Sequence, residues 1–433
     1  MKKVIYFIIA ALVLAACSAD RSSILKVYNW ADYIDEELLD EFEEWYHEQT
    51  GEEVEIIYQT FDINETMLSK IELGHEDYDV VCPSDYIIER MLKNDLLLPI
   101  ERNFGDAPDW LGNVSPYIAE KFGEIEGYGK DARDYSVGYM WGTIGLIYNT
   151  KHVTDEQARS WEVLRDPQYK NKILMKDAYR DVYTAILTAL NKEALDSGEK
   201  QLRTLAFDTS EESIALVENY LISFKESICG WEADFGKEQM TKELAWMNMS
   251  WSGDAQWAIE EAAEIGVELA YSIPEEGSGV WFDGWVIPKY ARNTKAASYF
   301  INFMCKPENA VRNMDVTGYV SVIGGAEVLE EMEDSEEYEA LDASYFFGEV
   351  ADSVCVNTIM YPDRKTIERC AMMHDTDTEA LLKMWARVKG ANASAWTYIL
   401  IVLVLGGLIF SVVLKYYRQN SRKKRYRKPK RKS

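Results

Sequence analysis

The chain has 433 residues, 46 basic against 74 acidic, and a net charge of −28, which excludes a protein whose main body works by neutralising phosphates. At 47% hydrophobic residues it can bury a substantial core, and its length fits two domains or a discontinuous pair. The charge is uneven: two lysines in 1–17 and eleven basic residues in 415–433 stand without an acid, leaving 33 basic and 74 acidic residues in 18–414, a body near −41.

Lys2 and Lys3, the apolar run 4–14 and the small Ala15 and Ala16 form the three-part pattern of a signal peptide over 1–17. Leu14-Ala15-Ala16-Cys17 resembles a bacterial lipobox, in which Cys17 carries the lipid and becomes the mature N-terminus. From 24 onward short apolar runs alternate with helical periodicity. Segment 24–29 predicts a strand, and a helix follows with Leu38, Leu39, Phe42 and Trp45 on one face. Strands are then predicted at 54–59 and 78–82 and helices at 64–73 and 87–94. This βαβαβα order implies a parallel sheet with helices on both faces, whose ligands bind beyond the carboxyl ends of the strands. Trp30, Asp32 and Tyr33 follow the first strand and Ser84, Asp85 and Tyr86 the third, so aromatic rings and carboxylates share a rim.

A second αβ region has predicted strands at 142–149, 172–175, 245–249, 267–272 and 280–287 and helices at 181–190, 213–225 and 255–263. Acidic and aromatic residues again gather at strand ends: Asp177 and Asp181, Trp251 and Asp254, Trp281 and Asp283. Helices are predicted at 294–304, over the acidic stretch 327–341, and through 363–389. The segment 395–414, within an uncharged run and flanked by Trp396, Tyr398, Tyr416 and Tyr417, predicts a transmembrane helix across a bilayer of about 30 Å. The basic tail 415–433 is then cytoplasmic, and the acidic body faces the periplasmic or extracellular side of the cell membrane. The five cysteines beyond Cys17 are odd in number and read as free thiols; with four histidines at no ligand spacing, no metal site is expected.

Several of these segments, in order, resemble the periplasmic spermidine/putrescine-binding proteins, the polyamine receptors of ABC importers with a type II solute-binding fold. They are Tyr28-Asn29-Trp30-Ala31-Asp32-Tyr33, Asn64-Glu65-Thr66-Met67, Asp79-Val80-Val81-Cys82-Pro83-Ser84-Asp85-Tyr86, Tyr139-Met140-Trp141-Gly142-Thr143, Trp281-Phe282-Asp283, Thr317-Gly318-Tyr319 and Tyr361-Pro362-Asp363. The resemblance implies two α/β lobes, 24–138 plus 280–329 and 139–279 plus 330–389, that close on ligand like a hinge. It implies a polyamine site of Trp30, Asp32, Tyr33, Ser84, Tyr86, Asp177, Asp181, Trp251, Trp281, Asp283 and Tyr319, with ABC permease subunits as partners and no cofactor. The chain departs from the family pattern at Ala31, where a hydroxyl residue is common, and at Met373, where a Gln is expected. Asp177 and Asp181 are also one residue further apart than in close relatives, and Asp181 replaces the usual Glu.

Those residue types suit a polyamine. Ammonium groups lose hydration unless carboxylates replace it, and Trp and Tyr faces wall the methylene chain while attracting its cationic ends by roughly 0.5 to 2 kcal/mol per contact. Asp283 stands out, since a carboxylate between Trp281 and Trp285 in an apolar run requires either an internal Arg or a ligand cation. Trp141 and Trp285 read as core, and most of the acids as solvated surface. Alternatives on the same residues are another organic cation such as thiamine, a metal ion, a membrane-tethered sensor, or a hydrolase using paired carboxylates. Clustered Tyr and His ligands, a nucleophile elbow and a phosphate loop are not evident.

Overall fold

The computed structural model describes residues 21–233 and 235–390. Twelve strands are present among them: β1 (Ile24–Trp30), β2 (Glu55–Phe61), β3 (Val80–Val81), β4 (Leu97–Leu98), β5 (Ser136–Asn149), β6 (Ile173–Lys176), β7 (Ile228–Glu232), β8 (Met247–Trp251), β9 (Leu269–Ser272), β10 (Ser278–Pro288), β11 (Val320–Ser321) and β12 (Cys370–Met372). They hydrogen-bond in the order β2-β1-β3-β10-β5-β8-β6-β7, with β4 and β12 on β10, and β9 and β11 on β5.

The sequence-predicted parallel unit is present, with β1 parallel to both β2 and β3. The sheet becomes mixed where β10 inserts antiparallel between β3 and β5. Sequence periodicity could not place β10, because it pairs with strands some 140 and 200 residues upstream. Strand β5 divides its partners. Residues up to Thr143 pair with β10, and Ile144 onward pairs with β8 and β9. One strand therefore passes out of the first sheet into the second, where β6 runs parallel to β7 and β8. This is a two-lobed periplasmic-binding-protein-like α/β fold.

All fourteen residues of β5 and all eleven of β10 are buried. Continuous apolar runs, with no polar alternation, are what a strand covered on both faces shows. Trp141 and Trp285 are fully buried, as core tryptophans should be. Gly142 matters for the site next to it, because a Cβ there would lie 2.6 Å from Trp281 Cζ2. Only glycine lets the indole lie against β5.

The first helix, Glu37–Thr50, buries Leu38, Phe42 and Tyr46, so Tyr46 takes the core position expected of Trp45. Trp45 instead packs against Trp110 at 5.3 Å between ring centroids. Two other expectations change. The acidic stretch 327–341 is helical only over Ala326–Met332, after which Glu333 and Leu341 bridge to Val356 and Val354. The closing region is not one helix either: after Arg364–Ile367 the chain enters β12, parallel to β10, before Thr378–Gly390. A three-residue apolar run cannot be assigned to strand or helix from its pattern alone, and here the edge of β10 decides.

The transmembrane helix expected over 395–414 is withdrawn from the fold. No helix among the described residues is long and apolar enough to cross a membrane. The last of them, Thr378–Gly390, has 13 residues and carries Glu379, Lys383, Arg387 and Lys389, about 20 Å of helix against a core of about 30 Å. The segment 395–414 itself lies outside the described residues, as do the signal peptide 1–17 with Cys17 and the tail 415–433. The described residues from Arg21 to Leu381 belong to one compact unit. Cys82, Cys229, Cys305, Cys355 and Cys370 are all free thiols, with Cys82, Cys305 and Cys370 buried.

Candidate functional site

The site begins at a bulge. The pairing of β10 with β5 shifts register between Asp283 and Gly284, and such a shift re-aims the side chain beside it. Gly284 permits it, since a Cβ there would meet Phe122 at 2.8 Å and the Val137 carbonyl at 3.0 Å. The residue opposite Asp283 is Ser84, in an isolated antiparallel bridge. Ser84 is the N-cap of the helix Asp85–Lys93 but makes no capping bond with its side chain. Its hydroxyl donates to Asp283 Oδ1 at 2.6 Å, and the Tyr33 hydroxyl donates to Oδ2 at 2.9 Å. Among the described residues no internal Arg takes up the partnership that the sequence left open; two neutral hydroxyls hold the carboxylate.

Neutral donors do not replace lost hydration, and the electrostatics show it. Burial pushes Asp283 up to about 7, with the Ser84 and Tyr33 bonds opposing and the charge of Asp181 adding. Asp181 lies at the start of the helix Tyr179–Leu190 and accepts the Trp251 indole N–H at 2.9 Å. It keeps an exposed edge, yet the surrounding protein desolvates it and pushes it up to about 6, against the Trp251 bond and the charges of Lys176 and Arg180. A third carboxyl, Asp85, is fully buried and accepts the N–H groups of Tyr86 and Phe282. Burial raises it well above the carboxylate range, and Asp283 and Asp181 raise it further. The charge of Asp181 thus disfavours ionisation of Asp283 and Asp85, and that of Asp283 disfavours ionisation of Asp85, so an added cation beside Asp283 would favour its charged form.

Aromatic rings connect them. Tyr319 packs edge-on against Tyr33 at 5.4 Å and Trp281 at 5.6 Å between centroids, and its hydroxyl donates to Asp254 Oδ1 at 3.0 Å. Asp254 also holds Lys176, whose ammonium lies 4.0 Å from the Trp251 ring centroid. On the other flank Asn64 donates to Ser84 Oγ at 3.0 Å and Tyr86 Oη at 3.2 Å. Glu65 accepts from Tyr86 at 3.4 Å and Tyr179 at 3.3 Å, and Arg180 sits 4.5 Å from the Tyr86 ring centroid.

Of the sequence-predicted residues, Tyr33, Ser84, Tyr86, Asp181, Trp251, Trp281, Asp283 and Tyr319 are thus joined in one network, Tyr86 through Asn64, and Trp251 with Asp181 through Lys176 and Asp254. Trp30 is half-buried at the end of β1, packed on Phe61 at 4.5 Å between centroids. Asp32 is exposed, with a left-handed φ of 52°. Asp177 is also exposed, just past β6, its N–H donating to the Glu232 carbonyl. Sequence reasoning missed Asn64, Glu65, Lys176, Arg180 and the closeness of Asp254 to Tyr319. Lys176 left a signal: one charge ending the strand Ile-Leu-Met-Lys calls for a buried partner.

Comparison with known proteins gives the family. Residues 37–341 match the bacterial extracellular solute-binding protein family, and residues 1–18 match a prokaryotic membrane lipoprotein lipid attachment site. The chain is 29% identical over 315 residues to the spermidine/putrescine-binding periplasmic protein of Escherichia coli, covering 71% of this chain and 80% of that one. It is 27% identical over 406 residues to the putrescine-binding periplasmic protein SpuD of Pseudomonas aeruginosa, covering 90% and 98%. Among solved structures, the spermidine/putrescine ABC transporter substrate-binding protein PotD of Streptococcus pneumoniae superposes with a TM-score of 0.63 at 29% identity, over 85% of this chain and 98% of that one. This chain belongs to the bacterial extracellular solute-binding protein family.

Proposed function

We propose that this chain is the substrate-binding component of a polyamine ABC importer. It captures putrescine or spermidine between its two lobes, 24–138 plus 280–329 and 139–279 plus 330–389, and passes it to permease subunits. One observation carries the reading: Asp283, pushed up to about 7 by burial, is held among the described residues by the neutral hydroxyls of Ser84 and Tyr33. An alkylammonium beside it supplies the opposite charge that the protein withholds, and so favours the ionised form. Asp181, about 6, is the second such group, and Tyr33, Trp251, Trp281 and Tyr319 wall the path between them, with Trp30, Asp32, Tyr86 and Asp177 bordering it. The names of the relatives, which bind spermidine and putrescine, support the same ligand class. The match over residues 1–18 supports Cys17 as the lipid anchor, which tethers the body to the membrane on the outward side. The acidic body attracts cations to the cleft and raises their on-rate.

Titration calorimetry of residues 24–390 against putrescine, spermidine, spermine, thiamine and a neutral amino acid tests the reading. Polyamines should give saturable heat and a thermal shift. Binding of thiamine alone would move the function to a different organic cation, and heat with none of the cations would refute it.

A further inference from the structure

Lys176 is a buried ammonium in a setting suited to a ligand's own. It is 2% exposed, with Nζ 2.6 Å from Asp254 Oδ2, 3.4 Å from Glu232 Oε1, and 4.0 Å from the Trp251 ring centroid. Two carboxylates and a tryptophan face are what an alkylammonium end needs on leaving water. The position is continuous with the candidate site: Trp251 bonds Asp181 through its indole N–H, and Asp254 accepts from Tyr319, which packs on Tyr33 and Trp281. From Asp283 the wall therefore runs through Tyr33, Tyr319 and Asp254 to a place the chain fills itself. At the opposite flank, beside Tyr86, Tyr179 and Glu65, stands a second resident cation, Arg180.

We propose that Lys176 sets ligand length by occupying the end subsite at Trp251 and Asp254. The cleft accepts an alkyl dication, one ammonium at Asp283 and the other at Asp181, and rejects a third ammonium. A third one directed along this wall meets a like charge within a few ångström, in a place where water screens little. The proposal rests on the polyamine reading and adds to it a diamine as the preferred ligand, with the residue responsible.

Calorimetry with putrescine, spermidine and spermine on three proteins tests it: the unmodified chain, Lys176→Met and Lys176→Arg. The unmodified protein should bind the diamine at least tenfold more tightly than the triamine. Lys176→Met, which frees the Trp251 face and removes the ammonium nearest Asp254 and Glu232 while Lys237 stays 3.8 Å from Asp254 Oδ1, should move that ratio at least tenfold toward the triamine. Lys176→Arg, which keeps the charge, should leave it within threefold. A natively melting Lys176→Met protein with an unchanged ratio overturns the proposal, and so does an unmodified protein that binds spermidine as tightly as putrescine. If Lys176→Met does not fold, the double variant Lys176→Met with Glu232→Gln, which removes one of the stranded charges, replaces it under the same criteria. Binding of no polyamine by the unmodified protein would refute the function itself, and is thereby distinguished from failure of the length rule.

Discussion

Asp283→Asn separates the charge of the main anchor from its shape. With Asp283 pushed to about 7 from 3.8, keeping it ionised without a cation beside it costs about 4 kcal/mol. The sign of the pH effect follows. A carboxyl raised above its unfolded value binds its proton in the native state between about pH 4 and 7, so stability falls as pH rises through that window. The Asp283→Asn protein should lose this slope, and at pH 8 should melt no lower than the unmodified one. Ligand binding runs the other way, because a cation draws both carboxyls into their ionised form. At pH 6.5, groups at about 7 and about 6 hold roughly one proton between them, and polyamine binding should release it; the variant should release about a quarter of one. Affinity should fall by roughly 30- to 150-fold, the loss of a charge-assisted hydrogen bond of about 2 to 3 kcal/mol. Calorimetry in two buffers of different ionisation enthalpy, with melting curves from pH 5 to 8, measures all three quantities. Unchanged affinity in a natively melting variant, or an affinity flat from pH 5.5 to 8 in the unmodified protein, refutes the reasoning.

Other substitutions address the supports. Gly284→Ala places a Cβ 2.8 Å from Phe122 and 3.0 Å from the Val137 carbonyl; urea unfolding should show a loss of about 1 to 3 kcal/mol as the bulge is overpacked. Trp251→Phe keeps an aromatic face but removes the N–H that holds Asp181 down. The lower limb of the pH–affinity profile should then move above pH 6, and a limb that stays in place would show that the indole bond does not set the carboxyl. Asn64→Ala removes the donor shared by Ser84 and Tyr86. Its affinity loss, read by calorimetry, should stay within about tenfold, the worth of one neutral hydrogen bond, and well below that of Asp283→Asn.

Local pattern and residue chemistry were legible in the sequence. Period-two and period-3.6 runs placed the βαβαβα start, and the Trp, Tyr and Asp residues at strand ends marked the rim of the candidate site. Asp283 was legible because a carboxylate inside an apolar run is costly wherever the chain goes. Its partner was not: the sequence allowed an Arg or a ligand, while the structure supplies Ser84 and Tyr33, 199 and 250 residues away. The strand β12 stayed hidden for the same reason, as its three residues have no pattern of their own and take their form from β10. The apolar segment 395–414, expected from its composition to be a membrane helix, lies outside the described residues, and no helix among those is long and apolar enough to cross a membrane. That Lys176 stands over Trp251 between Asp254 and Glu232 emerges from the folded chain alone. A buried ammonium announces in sequence that it needs a partner. Which partners, and whether they line a ligand's path, depends on long-range pairings of β5, β6 and β8 that no local period encodes.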